Sequence, residues 1–317
     1  MNYVNFREEN GGRYYMGKGT LYLVATPIGN PKDITSRACE ILASADLVLC
    51  EDTRITGMLL SYYDIKANLL SYHEHNMASR HPQIIERLEA GESIALVSDA
   101  GTPLLSDPGD RLVKLALELG FKIRVIPGAS AALTGLLASG LDTTRFVFEG
   151  FLPAKGKERR TRIAELVDEK RTVILYEAPH RLKRTLADLN EEVSLQGRRL
   201  SIGRELTKDY EEYLYLTLRE AIEYYNKMTP RGEFVLLLEG KAEFDARRPQ
   251  DIISKSEQAS LDELITERLA RGLRLRQIAK EVSELTGLPP NDIYERALQL
   301  KGIKAGPPRL DGKDGDG

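Results

Sequence analysis

Two aspartates, two glycines and two prolines crowd into LVSDAGTPLLSDPG at residues 96–109, directly after a hydrophobic run. A surface turn needs far less punctuation than this. A loop that brings bare backbone and carboxylates up to a ligand needs all of it. Five further segments share the design: TPIGN (26–30), CEDTR (50–54), PGASA (127–131), YEAPHR (176–181) and GRELTK (203–208). Between them they offer Glu51, Asp52, Asp99, Glu177 and Glu205, and the imidazoles of His73, His75 and His180 lie in or near the same loops. Carboxylates and imidazoles are the side chains that take up a proton from a weak nucleophile, so a general base is expected among these eight residues, with none singled out. Asp52 and Arg54 read equally well as an ion pair, and His180, after Pro179, as a helix cap. Gly101 and Gly128 are suited to close backbone approach, and Ser130 to capping the helix that follows it.

Several chemistries lack their motifs. No GxGxxG opens the first strand–helix turn, and GxxxxGK[ST], HExxH, CxxC and GxSxG are all missing. Nicotinamide, P-loop nucleotide, zinc and serine-hydrolase sites are therefore not expected, nor is any bound metal.

These loops must be positioned by the elements around them. Apolar runs at 20–25, 47–50, 69–72, 93–98 and 122–126 read as strands, and helical spacing at 34–43, 55–62, 83–89 and 110–119 falls between them. Near-continuous apolar strands alternating with helices predict a parallel sheet covered on both faces. From residue 130 onward three strands follow one another with little helix between, which predicts an antiparallel or mixed sheet in a second α/β domain. The expected organisation is an N-terminal extension (1–18), a first α/β domain (19–129), a second (130–241), a polar linker (242–260), a helix-turn-helix-like unit (261–303) and a Gly/Pro/Asp-rich disordered tail (304–317).

The 317 residues are 42% hydrophobic and 29% charged, the composition of a globular protein. With a net charge of −3, nucleic acid would have to be bound by local basic patches rather than a global field. Cys39 and Cys50 lack metal spacing and read as buried thiols, which suits a reducing cytoplasm. No run has the length of a membrane span, and the first residues lack a hydrophobic signal segment.

Taken in order, TLYLVATPIGNPKDIT, CEDTR, SDAGTPLLSDPG, IPGASA, YEAPHRL and GRELTK resemble the tetrapyrrole-methylase-like (class III) S-adenosylmethionine-dependent methyltransferases, and more closely the branch that methylates small-subunit ribosomal RNA. The resemblance covers residues 19–241 and weakens through the helical tail. It implies two α/β domains with S-adenosylmethionine in the cleft between them, a homodimer, and methylation of the ribose 2′-oxygen of a cytidine in the decoding region of 16S rRNA. It also implies donor contacts at Pro27, Asp99, Ala100, Gly101, Thr102, Ser130, Ala131, Leu152, Tyr176, Pro230 and Gly232. The sequence departs from the tetrapyrrole enzymes in two places. Gly101-Thr102-Pro103 stands where they carry Gly-Asp-Pro, and Thr26–Asn30 replaces their Gly-Pro-Gly-Asp-like turn. Both departures favour the RNA branch.

RNA contacts are expected at Arg54, His73, His75, Lys157, Arg159, Arg160, His180 and Arg181, because 155–162 and 181–184 are dense in cations and the histidines cluster in motif loops. Two other readings share parts of the pattern. One is a tetrapyrrole C-methyltransferase. The other is a ligand-sensing DNA-binding regulator, although the last helix is balanced in charge and makes a poor DNA reader.

Overall fold

The computed structural model describes residues 18–247, 255–286 and 288–301. The first sheet consists of β1 (Thr20–Val24), β2 (Leu47–Cys50), β3 (Leu69–Ser71), β4 (Ser93–Leu96) and β5 (Lys122–Ile126), in the order β3-β2-β4-β1-β5. Every pairing in it is parallel. Its strands are apolar on both faces because each face has its own core. Leu21, Leu23, Leu49, Ile94 and Leu96 pack with Ile84 and Leu88 of α3 (Met77–Glu89) and with Leu112 and Ala116 of α4 (Asp110–Glu118). The alternate residues Val24, Val48, Cys50 and Ala95 pack with Ala38 and Leu42 of α1 (Ser36–Ser44) and Leu60 of α2 (Thr53–Tyr62). Period-two alternation with both phases apolar is the signature of a doubly covered sheet. Cys50 is buried, whereas Cys39 is only partly so. Helix α3 begins six residues before the predicted start at 83, with Pro82 inside it. Pro82 faces solvent, so the carbonyl that lacks its amide partner can be met by water.

The chain then passes through α5 (Ala131–Ala138) into a mixed sheet of order β6-β7-β10-β8-β9. Its strands are β6 (Phe146–Phe151), β7 (Thr172–Glu177), β8 (Arg199–Arg204), β9 (Glu212–Thr217) and β10 (Phe234–Leu238). Strand β10 runs antiparallel to both β7 and β8, and β6 is parallel to β7. The ends of β6, β7 and β8 therefore meet the start of β10 at one edge. One face of this sheet packs on α6 (Gly156–Asp168), α7 (Pro179–Glu191) and α8 (Leu218–Asn226). The other face receives Ala132 and Leu136 of α5 together with Ile28 and Leu206, so the first sheet's opening loop is part of the second sheet's core.

The predicted polar linker at 242–260 is shortened from both sides. Residues 241–247 form α9 (Lys241–Arg247), whose Phe244 is buried, and α10 (Lys255–Ala270) already runs by Lys255. Arg199 and Arg247 both clasp the buried Glu239, which fixes α9 against the sheet. Charge pairing at three positions overrides the polarity that suggested a linker. Helices α10, α11 (Leu275–Thr286) and α12 (Pro290–Leu300) close around Ile265, Ile278, Val282 and Ile293, and α12 packs on the turn Val193–Leu195 behind α7. The expected N-terminal extension, apart from Lys18, and the expected C-terminal tail lie outside the described residues.

Arg198 is fully buried and spends its guanidinium on main-chain carbonyls: Leu166 at 3.2 Å, Glu169 and Glu239 at 3.5 Å, and Val167. It thereby closes the C-terminus of α6 and ties it to the end of β10. Arg198→Met is expected to leave those carbonyls unsatisfied and to destabilise the protein by about 2–4 kcal/mol, measured as a shift in the urea midpoint at unchanged slope.

Candidate active site

Parallel strands deliver their following loops to one edge, and both sheets turn that edge toward the same cavity of about 570 Å³. The first sheet contributes Ile28, Glu51, the 99–102 loop and Leu105–Asp107, and α5 contributes Ser130 and Ala131 at its start. The second sheet contributes Phe151, Tyr176–His180, Leu206 and Glu233–Val235. Of the expected donor residues, Asp99, Ala100, Gly101, Thr102, Ser130, Ala131 and Tyr176 are on its wall.

Gly101 has a φ of +83°, which favours glycine, and it exchanges main-chain hydrogen bonds with Thr26 at 2.9 and 3.1 Å. The 99–102 loop is thus laced to the loop after β1, and Thr102 adds a hydrogen bond to the Ala129 carbonyl at 3.0 Å. Ser130 stands at the N-cap of α5, but its hydroxyl makes no capping bond. Tyr176, on the opposite sheet, takes that role: its hydroxyl accepts from the Ala132 amide at 3.1 Å. Burial pushes the Tyr176 phenol above its usual range, which keeps it neutral.

Four expected donor residues are not on the wall, each for a visible reason. Pro27 is buried beside Ile28, which takes the wall position. Leu152 points into the core of the second sheet, and its neighbour Phe151 faces the cavity. Gly232 sits against the Glu205 side chain, and Pro230 precedes it in the same turn, so the wall begins only at Glu233.

The carboxylates separate as sharply. Glu51, Asp99 and Glu177 reach the cavity, whereas Asp52 and Glu205 do not. Asp52 caps α2 by accepting from the Arg54 amide at 2.8 Å and also pairs with the Arg54 guanidinium, whose hydrogen bonds hold its carboxyl down at about 2. Glu205 is held by Lys208 and by the Glu233 amide, both at 2.9 Å. Asp99 accepts from the Asp52 amide at 3.0 Å. Glu177 is buried and engaged by Thr185, by the Ala178 amide at 2.9 Å and by Arg181 at 3.3 Å.

Sequence reasoning missed Asp107. Its signal was in plain view as the second aspartate of the opening loop. Burial is the main cause that lifts its carboxyl to about 6, with Asp99 adding to it against a bond from Ser98. Burial likewise lifts Glu51 to about 7, reinforced by the charges of Asp107 and Asp99.

The residues expected at RNA are dispersed. Exposed His180 lines the cavity, and exposed Lys157 and Arg160 lie on α6. Arg54 is exposed at the start of α2. His73 and His75 lie after the edge strand β3, off the cavity wall, with His73 bonded to Asn76. Arg181 turns inward to Glu177 and the Leu152 carbonyl. Arg159 corrects the expectation outright. It is 3% exposed and bound to Asp188 at 2.7 Å, Thr185 at 2.9 Å and the Pro153 carbonyl at 3.0 Å, so it pins α6 to α7 and cannot meet a phosphate.

Both raised carboxyls bind protons more tightly in the folded chain than in the unfolded one. Native stability therefore falls as pH rises through the window from about 4.5 to 7 for Glu51. Thermal melts across that range are expected to show wild type losing stability relative to Glu51→Gln, with the gap opening toward pH 7. Parallel curves would mean that Glu51 is not shifted.

Among known proteins, the family model for Tetrapyrrole (Corrin/Porphyrin) Methylases matches residues 20–222, and that for the RsmI C-terminal HTH domain matches residues 256–301. The ribosomal RNA small subunit methyltransferase I of Synechocystis sp. is 46% identical over 283 residues, covering 89% of this chain and 99% of the relative. The protein of the same name from Halalkalibacterium halodurans is 47% identical over 277 residues, covering 87% and 94%. In fold, the chain is similar to the uroporphyrin-III C-methyl transferase of Thermus thermophilus in complex with S-adenosyl homocysteine. There the TM-score is 0.53 at 18% identity, covering 72% of this chain and all of the other.

Proposed function

The chain belongs to the tetrapyrrole methylase family, among its ribosomal RNA small subunit methyltransferase I members, and on that premise we propose that it methylates the ribose 2′-hydroxyl of a cytidine in the decoding region of 16S rRNA, with S-adenosylmethionine as donor. The observation that carries the chemistry is a cavity walled by loops of both sheets, each of which contributes carboxylates and apolar side chains to it. The tetrapyrrole methyltransferase found in the fold comparison is a remote relative at 18% identity, against 46–47% for the rRNA methyltransferases.

The wall suits the donor. Asp99, Glu51 and Asp107 face a cationic sulfonium favourably, and Ile28, Leu206 and Val235 offer apolar surface to an adenine. The backbone of 100–102 and the start of α5 are placed to hold it. When bound, S-adenosylmethionine supplies a methyl group activated on sulfur. The protein's part is to align the hydroxyl with that methyl, to exclude water and to receive the hydroxyl proton. Among the wall carboxylates, Asp99 and Glu177 are engaged by amides, and Glu233 pairs with Lys208 at 3.0 Å. Glu51 has no cation partner among the described residues, and its carboxyl near 7 suits proton acceptance at neutral pH. We assign the proton to Glu51, whose pKa is held up by burial, with the charges of Asp107 and Asp99 adding to it.

RNA phosphates are assigned to the exposed Lys157, Arg160 and Lys183 beside the cavity and to Arg274, Arg276 and Lys280 on and just before α11. His73, His75, His180 and Arg54 remain proposed RNA contacts. A homodimer is supported by α5, a helix apolar but for Thr134, whose outer face leaves Leu133 49% and Leu137 80% exposed. Leu137→Glu is expected to yield monomers in sedimentation. An unchanged sedimentation coefficient would remove α5 from the interface.

Labelled S-adenosylmethionine incubated with unmethylated small subunits is expected to leave label on 16S rRNA, with none transferred to uroporphyrinogen. Gly101→Val is expected to abolish donor binding in calorimetric titration while the protein still melts cooperatively, because the side chain strains a left-handed residue 3.1 Å from Ile28. Full donor affinity in that variant would exclude the 99–102 loop from the donor site.

A further inference from the structure

Phe151 and Leu105 are large apolar side chains that line the cavity yet remain 48% and 41% exposed. Each is held there by an irregularity of the backbone. Strand β6 slips register against β7 between Phe148 and Gly150, and Gly150 takes φ +63°. In a regular strand, residues three apart point to opposite faces. Here the bulge sets Phe148 and Phe151 both against Tyr176, with ring centroids 4.9 and 5.7 Å away. Opposite this bulge, Leu105 stands between two non-glycine residues in the left-handed region, Leu104 at φ 75° and Ser106 at φ 70°. Such backbone costs about 1–2 kcal/mol per residue and concentrates where a side chain must be presented to a ligand. The two irregularities touch: a Cβ on Gly150 would lie 2.7 Å from the Ser106 hydroxyl.

Charge decides what this apolar pair receives. Glu51, Asp99, Asp107 and Glu177 line the same cavity, so a phosphate is repelled from it. The exposed cations that would attract phosphates lie outside, on α6 and α7. With the cationic donor on the carboxylates, the apolar pair is left to a neutral, flat, apolar-faced group.

We propose that Phe151, faced by Leu105, is the seat of the target nucleobase: a pyrimidine drawn out of its stack rests on the Phe151 ring, and its ribose is turned inward toward Glu51. The inference rests on the rRNA methylation reading and adds the acceptor subsite to it. RNA enzymes reach an atom inside a structured strand by unstacking the nucleotide, and aromatic side chains replace the lost stacking.

The test uses the full chain, small subunits lacking the methyl group, and labelled donor. Phe151→Ala is expected to weaken capture of the subunit, read as KM, by about tenfold to a hundredfold, the loss typical of one stacked base. Donor affinity in calorimetry is expected to stay within about twofold, as for a group that does not touch the donor. Phe151→Trp is expected to restore most of the capture, and Phe151→Leu, which keeps apolar bulk without a π-face, is expected not to. A Leu variant as active as wild type would overturn the stacking role, as would an Ala variant with unchanged KM or one whose donor affinity falls in step. If the Ala variant does not fold, the Trp and Leu variants decide alone. If wild type itself leaves no label on the subunit, the rRNA reading has failed. With wild type active, the Phe151 series bears on the subsite only.

Discussion

The whole arrangement depends on one joint between two sheets. Tyr176, in a strand of the second sheet, accepts from the amide of Ala132 at the start of the helix that leaves the first sheet. Around it, Ile28 from the first sheet's opening loop is buried with Leu206, Leu136 and Val235. The Asn30 amide donates to Thr207 at 3.1 Å on the same seam. Because the cavity lies over this seam, its walls keep their spacing only while the seam stays closed. Burial raises the Tyr176 phenol, so the hydroxyl at the joint stays uncharged at physiological pH.

Much of this was legible in the sequence because the rules involved are local. Apolar runs with both phases hydrophobic gave the parallel sheet, and strand-following loops rich in Gly, Pro and Asp marked the cavity edge. What escaped depends on non-local geometry. The bulge at Gly150 moves the wall position from Leu152 to Phe151, and nothing in the string GFLP announces it. Arg159 looks like any other cation in KGKERRTR, but the partners that bury it, Asp188 and Thr185, come from another helix. Asp107 stands within the 96–109 loop itself. Its significance comes from proximity to Glu51, which is 56 positions away along the chain and reaches the cavity from a neighbouring strand.

Charge is partitioned across very short distances. Carboxyls gather inside the cavity, where burial, reinforced by mutual repulsion, raises the pKa of Glu51 and Asp107. Cations that could neutralise them are spent elsewhere: Arg54 on a helix cap, Arg159 between helices and Lys208 on Glu205 and Glu233. Net charge near neutrality therefore conceals a carboxylate-lined cavity alongside exposed cations on α6 and α7.

Helix α7 begins at the cavity with His180 and ends just before the turn Val193–Leu195, on which α12 rests. Its 13 residues span about 20 Å at 1.5 Å each. It is stiffened along its length by Leu182, Leu186 and Leu189 in the core of the second sheet. It therefore acts as a rigid spacer that sets the distance between the cavity and the three-helix unit.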